Sequence, residues 1–188
     1  DDQADNLQVL KQILSDDYHL LFAKNGYRAI ELAKRQRPDL ILLDVMMPDL
    51  DGFETCRLLK ADSETAKIPI IFVTALSEVD DENRGFECGA VDYITKPLCA
   101  SIVKARVKTH LSLVRIEELE ETQLEVVQRL GRAAEYKDNE TGLHVIRMSR
   151  YSELIAQALG TAPAFYETLL YAAPMHDIGK IGIPDSIL

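Results

Sequence analysis

Tryptophan is absent from this 188-residue chain, and cysteine occurs three times, at Cys56, Cys88 and Cys99. Three scattered thiols with no close metal-type pair exclude a disulfide framework. They read as reduced thiols, buried or half-buried, in a cytoplasmic protein. No run of about 18 apolar residues occurs, so no membrane span is expected. No charged-then-apolar leader opens the chain, so no export signal is read. Cations are also scarce: 21 Lys and Arg stand against 31 Asp and Glu, a formal net charge of −10. Phosphate contacts need clustered Lys and Arg, so this balance argues against nucleic acid as a partner. An anionic substrate would need local help from metal ions or a few placed cations. The remaining composition, 47% hydrophobic and 28% charged, is that of an ordinary globular chain able to build a core.

Residues 1–110 alternate between two periods. Leu7, Leu10, Ile13 and Leu14 recur at helical spacing. Residues 19–23 form a short apolar run before the turn pair Asn25-Gly26, and Ala29, Ile30, Leu32 and Ala33 mark a second helix stopped near Pro38. Residues 40–43 are continuously apolar and end in Asp44, as a strand buried on both faces requires. A helix is predicted over 52–60, a second buried strand over 70–73 ending at Thr74, a helix over 78–88, and a last strand over 91–94 before Lys96-Pro97. Strands alternating with helices imply a parallel sheet covered on both faces.

Between residues 100 and 132 there is no proline, and the first glycine is Gly131. Ile116, Leu119, Gln123, Val126 and Leu130 follow a three-four spacing, as in a coiled-coil seam of barely two heptads. A solitary exposed connector helix is the plainer reading, but helices this polar are poorly stabilised alone, which favours a homodimer through this helix. From about 135 onward the pattern is all helical. Val145, Met148, Tyr151, Ile155 and Leu159 share a face ahead of a stop at Gly160, and a second helix is predicted from 164 to about 177.

Two constellations carry chemistry. In an open parallel sheet, ligands bind beyond the carboxyl ends of the strands. Asp44, Thr74 and Lys96 sit at such ends, and Asp1 and Asp2 would join them if a strand precedes them. Clustered carboxylates invite a hard divalent cation, most naturally Mg²⁺, which offsets the charge of an incoming phosphoryl group. Strand-end aspartates are also common caps and turn residues, so each alone is more often structural. The ordered set outweighs that reading.

Asp1-Asp2, LILLDVMMPDLDGFE around Asp44, Thr74-Ala75 and DYITKP ending at Pro97 resemble the bacterial response-regulator receiver family over almost all of residues 1–110. The resemblance implies a flavodoxin-like fold and Asp44 as phospho-acceptor. It makes Asp1, Asp2, Asp44 and the Met46 backbone carbonyl the Mg²⁺ ligands, Thr74 and Tyr93 the switch residues, and Lys96 the phosphate contact. The Lys96–Pro97 bond is expected to be cis. A tyrosine beside a strand end is also ordinary packing. The implied phosphoryl donor is a sensor histidine kinase or a phosphotransfer protein. The family's first strand, which precedes the acidic pair, is expected to be missing here.

In the second constellation, Glu140 and His144 are four apart on one predicted helix, and His176 and Asp177 are adjacent with Lys180 following. Imidazole with carboxylate suits divalent transition metals such as Fe, Mn or Zn, and a bridging carboxylate can hold two ions that acidify a water. A single histidine on an amphipathic helix is more often packing or surface, and His19 and His110 are read so. ETGLHVIRMSRY from Glu140 and AAPMHDIGKIGIPDSIL from Ala172 resemble the HD phosphohydrolases of the HD-GYP branch, which hydrolyse cyclic-di-GMP. That resemblance implies Glu140, His144, His176 and Asp177 as metal ligands and Lys180 as the phosphate-facing lysine. The family's later histidines and Gly-Tyr-Pro loop lie downstream of anything here, so the chain is expected not to assemble the full metal cluster.

The expected architecture is therefore α/β plus all-α. A flavodoxin-like receiver occupies 1–110, a helical linker 111–134, and the opening part of an all-α HD domain 135–188. The expected function is a phosphorylation-controlled cyclic-di-GMP phosphodiesterase. The alternatives are a receiver-controlled, non-enzymatic interaction module and an HD hydrolase of another nucleotide.

Overall fold

The computed structural model describes residues 1–75, 85, 87–135, 143–184, 186 and 187. They fall into two compact units, Asp1–Arg115 and Ile116–Leu188. Among the described residues no helix is long and apolar enough to cross a membrane.

In the first unit, strands β1 (Ile41–Asp44), β2 (Ile70–Thr74) and β3 (Asp92–Thr95) hydrogen-bond in the order β1-β2-β3, all parallel. Parallel pairing needs crossovers, and α3 (Gly52–Ala61) lies in the one from β1 to β2; α1 (Ala4–Leu14) and α2 (Gly26–Gln36) precede β1, and α4 (Ala100–Glu135) follows β3. The caps are local. The Asn25 side chain accepts from the Arg28 N–H at 2.9 Å, and the Asp51 side chain from the Glu54 N–H at 2.7 Å.

All five residues of β2 are buried, because side chains alternate and both faces are covered. Ile70 and Phe72 pack with Leu43, Phe53, Cys56 and Leu59 on one face. Ile71 packs with Leu10, Leu14, Ile94, Val103 and Val107 on the other. The apolar runs at 40–43 and 70–73 are thus the two strands the pattern predicts. The run at 19–23 is not a strand. It borders, together with Leu40 and Leu42, a cavity of about 380 Å³. The helix predicted over 78–88 falls mostly outside the described residues.

Helix α4 runs for 36 residues without interruption, starting earlier than the predicted linker. In the second unit its later turns meet α5 (His144–Ala158) at Val145, α6 (Pro163–Ala172) at Tyr171 and the 3-10 turn Ala173–Met175 at Pro174, and a further 3-10 turn, Ile178–Gly182, follows. A Cβ on Gly131 would lie 2.4 Å from the Pro174 carbonyl oxygen, so only glycine permits this close approach.

One expectation fails here. The helix predicted to reach 177 ends at Ala172, since Pro174 lacks an N–H and its ring clashes with the preceding turn. The buried positions of α5 are Val145, Ser149 and Ala156, whereas Tyr151, Ile155 and Leu159 stay exposed among the described residues. Ser149 tolerates burial because its hydroxyl donates to the Ile146 carbonyl at 3.0 Å.

Candidate functional site

The level ends of β1 and β2 place the first site. Asp44 pairs in register with Val73, one residue before Thr74, and Thr74 pairs with Thr95, one residue before Lys96. The Lys96 N–H donates to the Thr74 carbonyl at 2.7 Å, and the Lys96–Pro97 peptide is cis. This turn aims the lysine at Asp44, which is only 2% exposed. The Lys96 ammonium donates to Asp44 Oδ2 at 2.6 Å and to Asp1 Oδ2 at 3.2 Å. Asp44 Oδ1 accepts the Met46 N–H at 3.1 Å. Gly52 lies directly beneath: its N–H donates to the Val45 carbonyl at 2.9 Å, and a Cβ there would be 2.2 Å from the Asp44 carbonyl oxygen.

Asp1, Asp2 and Asp44 each offer a carboxylate oxygen, all within 4.8 Å of one another, the one such group of donors among the described residues. Three carboxylates against one ammonium leave a surplus of negative charge. All-oxygen donors at this spacing fit a hard divalent cation that keeps several waters.

At the other end of β3 lies a cluster the sequence reading did not single out. Asp92, at the start of β3, accepts from Arg106 on one carboxylate oxygen and meets His110 Nε2 at 3.0 Å on the other. Arg106 also stands over the Tyr93 ring, 5.6 Å from its centroid. His110 therefore serves packing as expected, but through a polar partner. The signal was tertiary: only the four-residue spacing of Arg106 and His110 on a helix hinted at a shared contact. Burial alone would raise the Asp92 carboxyl. The hydrogen bonds from Arg106, His110 and the Tyr93 N–H outweigh it and hold the group below the usual carboxylate range. A depressed folded-state value adds stability that is present above the unfolded value and is lost as pH falls. Asp92→Asn should cost about 2 kcal/mol at neutral pH. The cost should shrink as pH falls through about 4 toward 3 in denaturant titrations. An equal cost at both pH values would refute the assignment.

In the second unit the rings of His144 and His176 lie 6.3 Å apart, edge to face. His176 Nε2 is 3.2 Å from Asp177 Oδ2, and Lys180 Nζ donates to the same oxygen at 2.8 Å. That lysine hydrogen bond holds the Asp177 carboxyl below its ordinary range. His176 Nδ1 sits 3.0 Å from the Ala173 carbonyl, which fixes the ring. The 3-10 turns after Pro174 thus bring His144, His176, Asp177 and Lys180 into one neighbourhood. Glu140 lies outside the described residues.

Cys56 and Cys88 are buried and free, as read from sequence, with the Cys56 thiol pushed up to about 11, chiefly by burial. Cys99 departs from that reading and is exposed, at the head of α4.

An open parallel sheet with acids, a hydroxyl and a lysine at its strand carboxyl ends defines the class: a flavodoxin-like unit with an acidic rim. The chain belongs to the response regulator receiver domain family, whose model matches residues 1–108. The HD domain model matches residues 141–188. The chain is 39% identical to a probable cyclic di-GMP phosphodiesterase of Vibrio cholerae serotype O1, covering all of this chain and 49% of that protein. It is 31% identical to the cyclic di-GMP phosphodiesterase response regulator RpfG of Xanthomonas campestris pv. campestris, covering all of this chain and 56% of that one. The chain thus spans about half the length of these relatives. Among solved structures it is similar to the receiver domain of sensor histidine kinase PA1611 from Pseudomonas aeruginosa PAO1, which holds a magnesium ion in its active-site cleft. The identity is 28% and the TM-score 0.56, over 60% of this chain and 93% of that one.

Proposed function

We propose that this chain is the receiver, connecting helix and opening HD segment of a phosphorylation-controlled cyclic-di-GMP phosphodiesterase. The observation that carries the reading is the buried Asp44 carboxylate, grouped with Asp1 and Asp2 within 4.8 Å and held by Lys96 at 2.6 Å. Phosphoryl transfer needs a positioned nucleophile and charge compensation more than covalent machinery. Mg²⁺ held by Asp1, Asp2, Asp44 and the Met46 carbonyl would supply that compensation. Asp44 attacks phosphorus, an O–P bond forms, and the bond to the donor breaks. The donor is a phosphohistidine on a sensor kinase or phosphotransfer protein. Lys96 moves from the carboxylate to the new phosphoryl oxygens, and Thr74, at the end of β2, donates to them.

Tyr93 then shifts against Arg106, and α4, along which two chains pair, carries the change onward. In the second unit His144, His176 and Asp177, joined by Glu140, form part of a site for divalent transition metals such as Fe, Mn or Zn. Lys180 faces the phosphodiester. The His176–Asp177–Lys180 contacts, with the His144 ring 6.3 Å from that of His176, support this donor set, although these atoms do not meet at the spacing of Asp1, Asp2 and Asp44.

The test is acetyl-phosphate labelling with Mg²⁺, read by intact mass. One phosphoryl group should add to the chain, none to Asp44→Asn, and none when the metal is chelated. Undiminished labelling of Asp44→Asn would overturn the reading.

A further inference from the structure

Helix α4 carries two apolar faces, and its own unit uses one of them. Leu124 and Val127 are half-buried and Gly131 and Ala134 buried, with Gly131 seated against Pro174 and Val145. The neighbouring face, Ile116, Leu119, Val126 and Leu130, is 46–57% exposed among the described residues. With Gln123 these positions follow a three-four repeat, so Ile116, Gln123 and Leu130 fall at a positions and Leu119 and Val126 at d positions of a heptad.

We infer that this face pairs with the same face of a second copy of the chain, parallel and in register. The inference rests on the proposed dimer through α4 and fixes its orientation. Two observations choose the orientation. In a parallel pair a g residue faces the e residue five positions later on the partner helix. Arg115 is at g and Glu120 at e, so each copy's arginine meets the other's glutamate, twice per dimer. In an antiparallel pair g faces g and e faces e, and that complement is lost. The second observation is Gln123. Parallel and in register, the two Gln123 amides meet in one layer and hydrogen-bond each other. An antiparallel pairing of the same seam sets each amide against Val126, where its donors and acceptors go unmet. The outward positions Glu117, Glu118, Glu121 and Glu125 form an acidic band that disfavours a third helix.

Sedimentation velocity on the full chain, at tens of micromolar, should give the mass of a dimer. Ile116→Glu with Leu119→Glu should give the monomer mass with an unchanged circular dichroism spectrum, since both positions are exposed. Arg115→Glu should weaken the dimer by about tenfold, and adding Glu120→Arg should restore it. In a Cys99→Ser background, Val126→Cys should cross-link to itself under mild oxidation. A chain that is monomeric throughout, or a dimer indifferent to the glutamate pair, overturns both the seam and the proposed dimer. A dimer lost with the glutamate pair but not cross-linked through Val126→Cys overturns the parallel orientation alone.

Discussion

Lys96→Met is expected to destabilise the first unit by about 3 kcal/mol, because it strips the counter-ion from a buried carboxylate. In the structure the lysine bridges Asp44 and Asp1, whose side chains are 1% and 4% exposed, and Asp2 adds a third charge nearby. Methionine keeps the length of the stem and removes only the charge. Urea unfolding followed by circular dichroism reads the loss. Two recoveries distinguish electrostatics from packing. Adding Asp44→Asn removes one of the repelling charges and should restore most of the stability. Millimolar Mg²⁺ should stabilise the Lys96→Met variant more than the unaltered chain, since the ion and the ammonium compete for the same oxygens. A variant as stable as the parent, or one that Mg²⁺ leaves unchanged, would show that the carboxylates are not coupled through Lys96.

Gly52→Ala should be comparably severe, at roughly 3 kcal/mol. Alanine would favour the helix by about 1 kcal/mol on propensity alone. Against this, the added methyl would meet the Asp44 carbonyl oxygen at 2.2 Å and the Val45 Cα at 2.7 Å, both backbone and unable to swing aside. Relief requires moving the strand end that presents Asp44. Acetyl-phosphate labelling should therefore slow by about tenfold or more even where the variant is still folded, because the reacting oxygen is displaced. Labelling at the parent rate in a folded Gly52→Ala chain would show that strand end and helix start are not rigidly joined.

The strands were legible because a parallel strand buried on both faces must be continuously apolar, as residues 40–43 and 70–73 are. The acidic rim was legible for the same reason, since strand ends fix where Asp44, Thr74 and Lys96 emerge. The buried side of α5 was not legible, since of the shared apolar face Tyr151, Ile155 and Leu159 stay exposed among the described residues. Ser149 is buried through a hydrogen bond to its own helix, which no hydropathy count detects. The extent of α6 was overrun although Pro174 stood in plain view; its effect on the backbone outranks the apolar periodicity around it. Asp92 escaped notice because its partners lie 14 and 18 residues downstream, and a contact of that range leaves no local pattern.

Asp92 has a mechanical consequence. Arg106 and His110 stand one helical turn apart and grip different oxygens of a single carboxylate. A helix held this way is fixed in rotation as well as in height. Sliding it by one residue moves it about 1.5 Å and turns it by about 100°, which releases both grips together. The early turns of α4 are therefore tied to the start of β3 through one carboxylate, with Arg106 also over the Tyr93 ring.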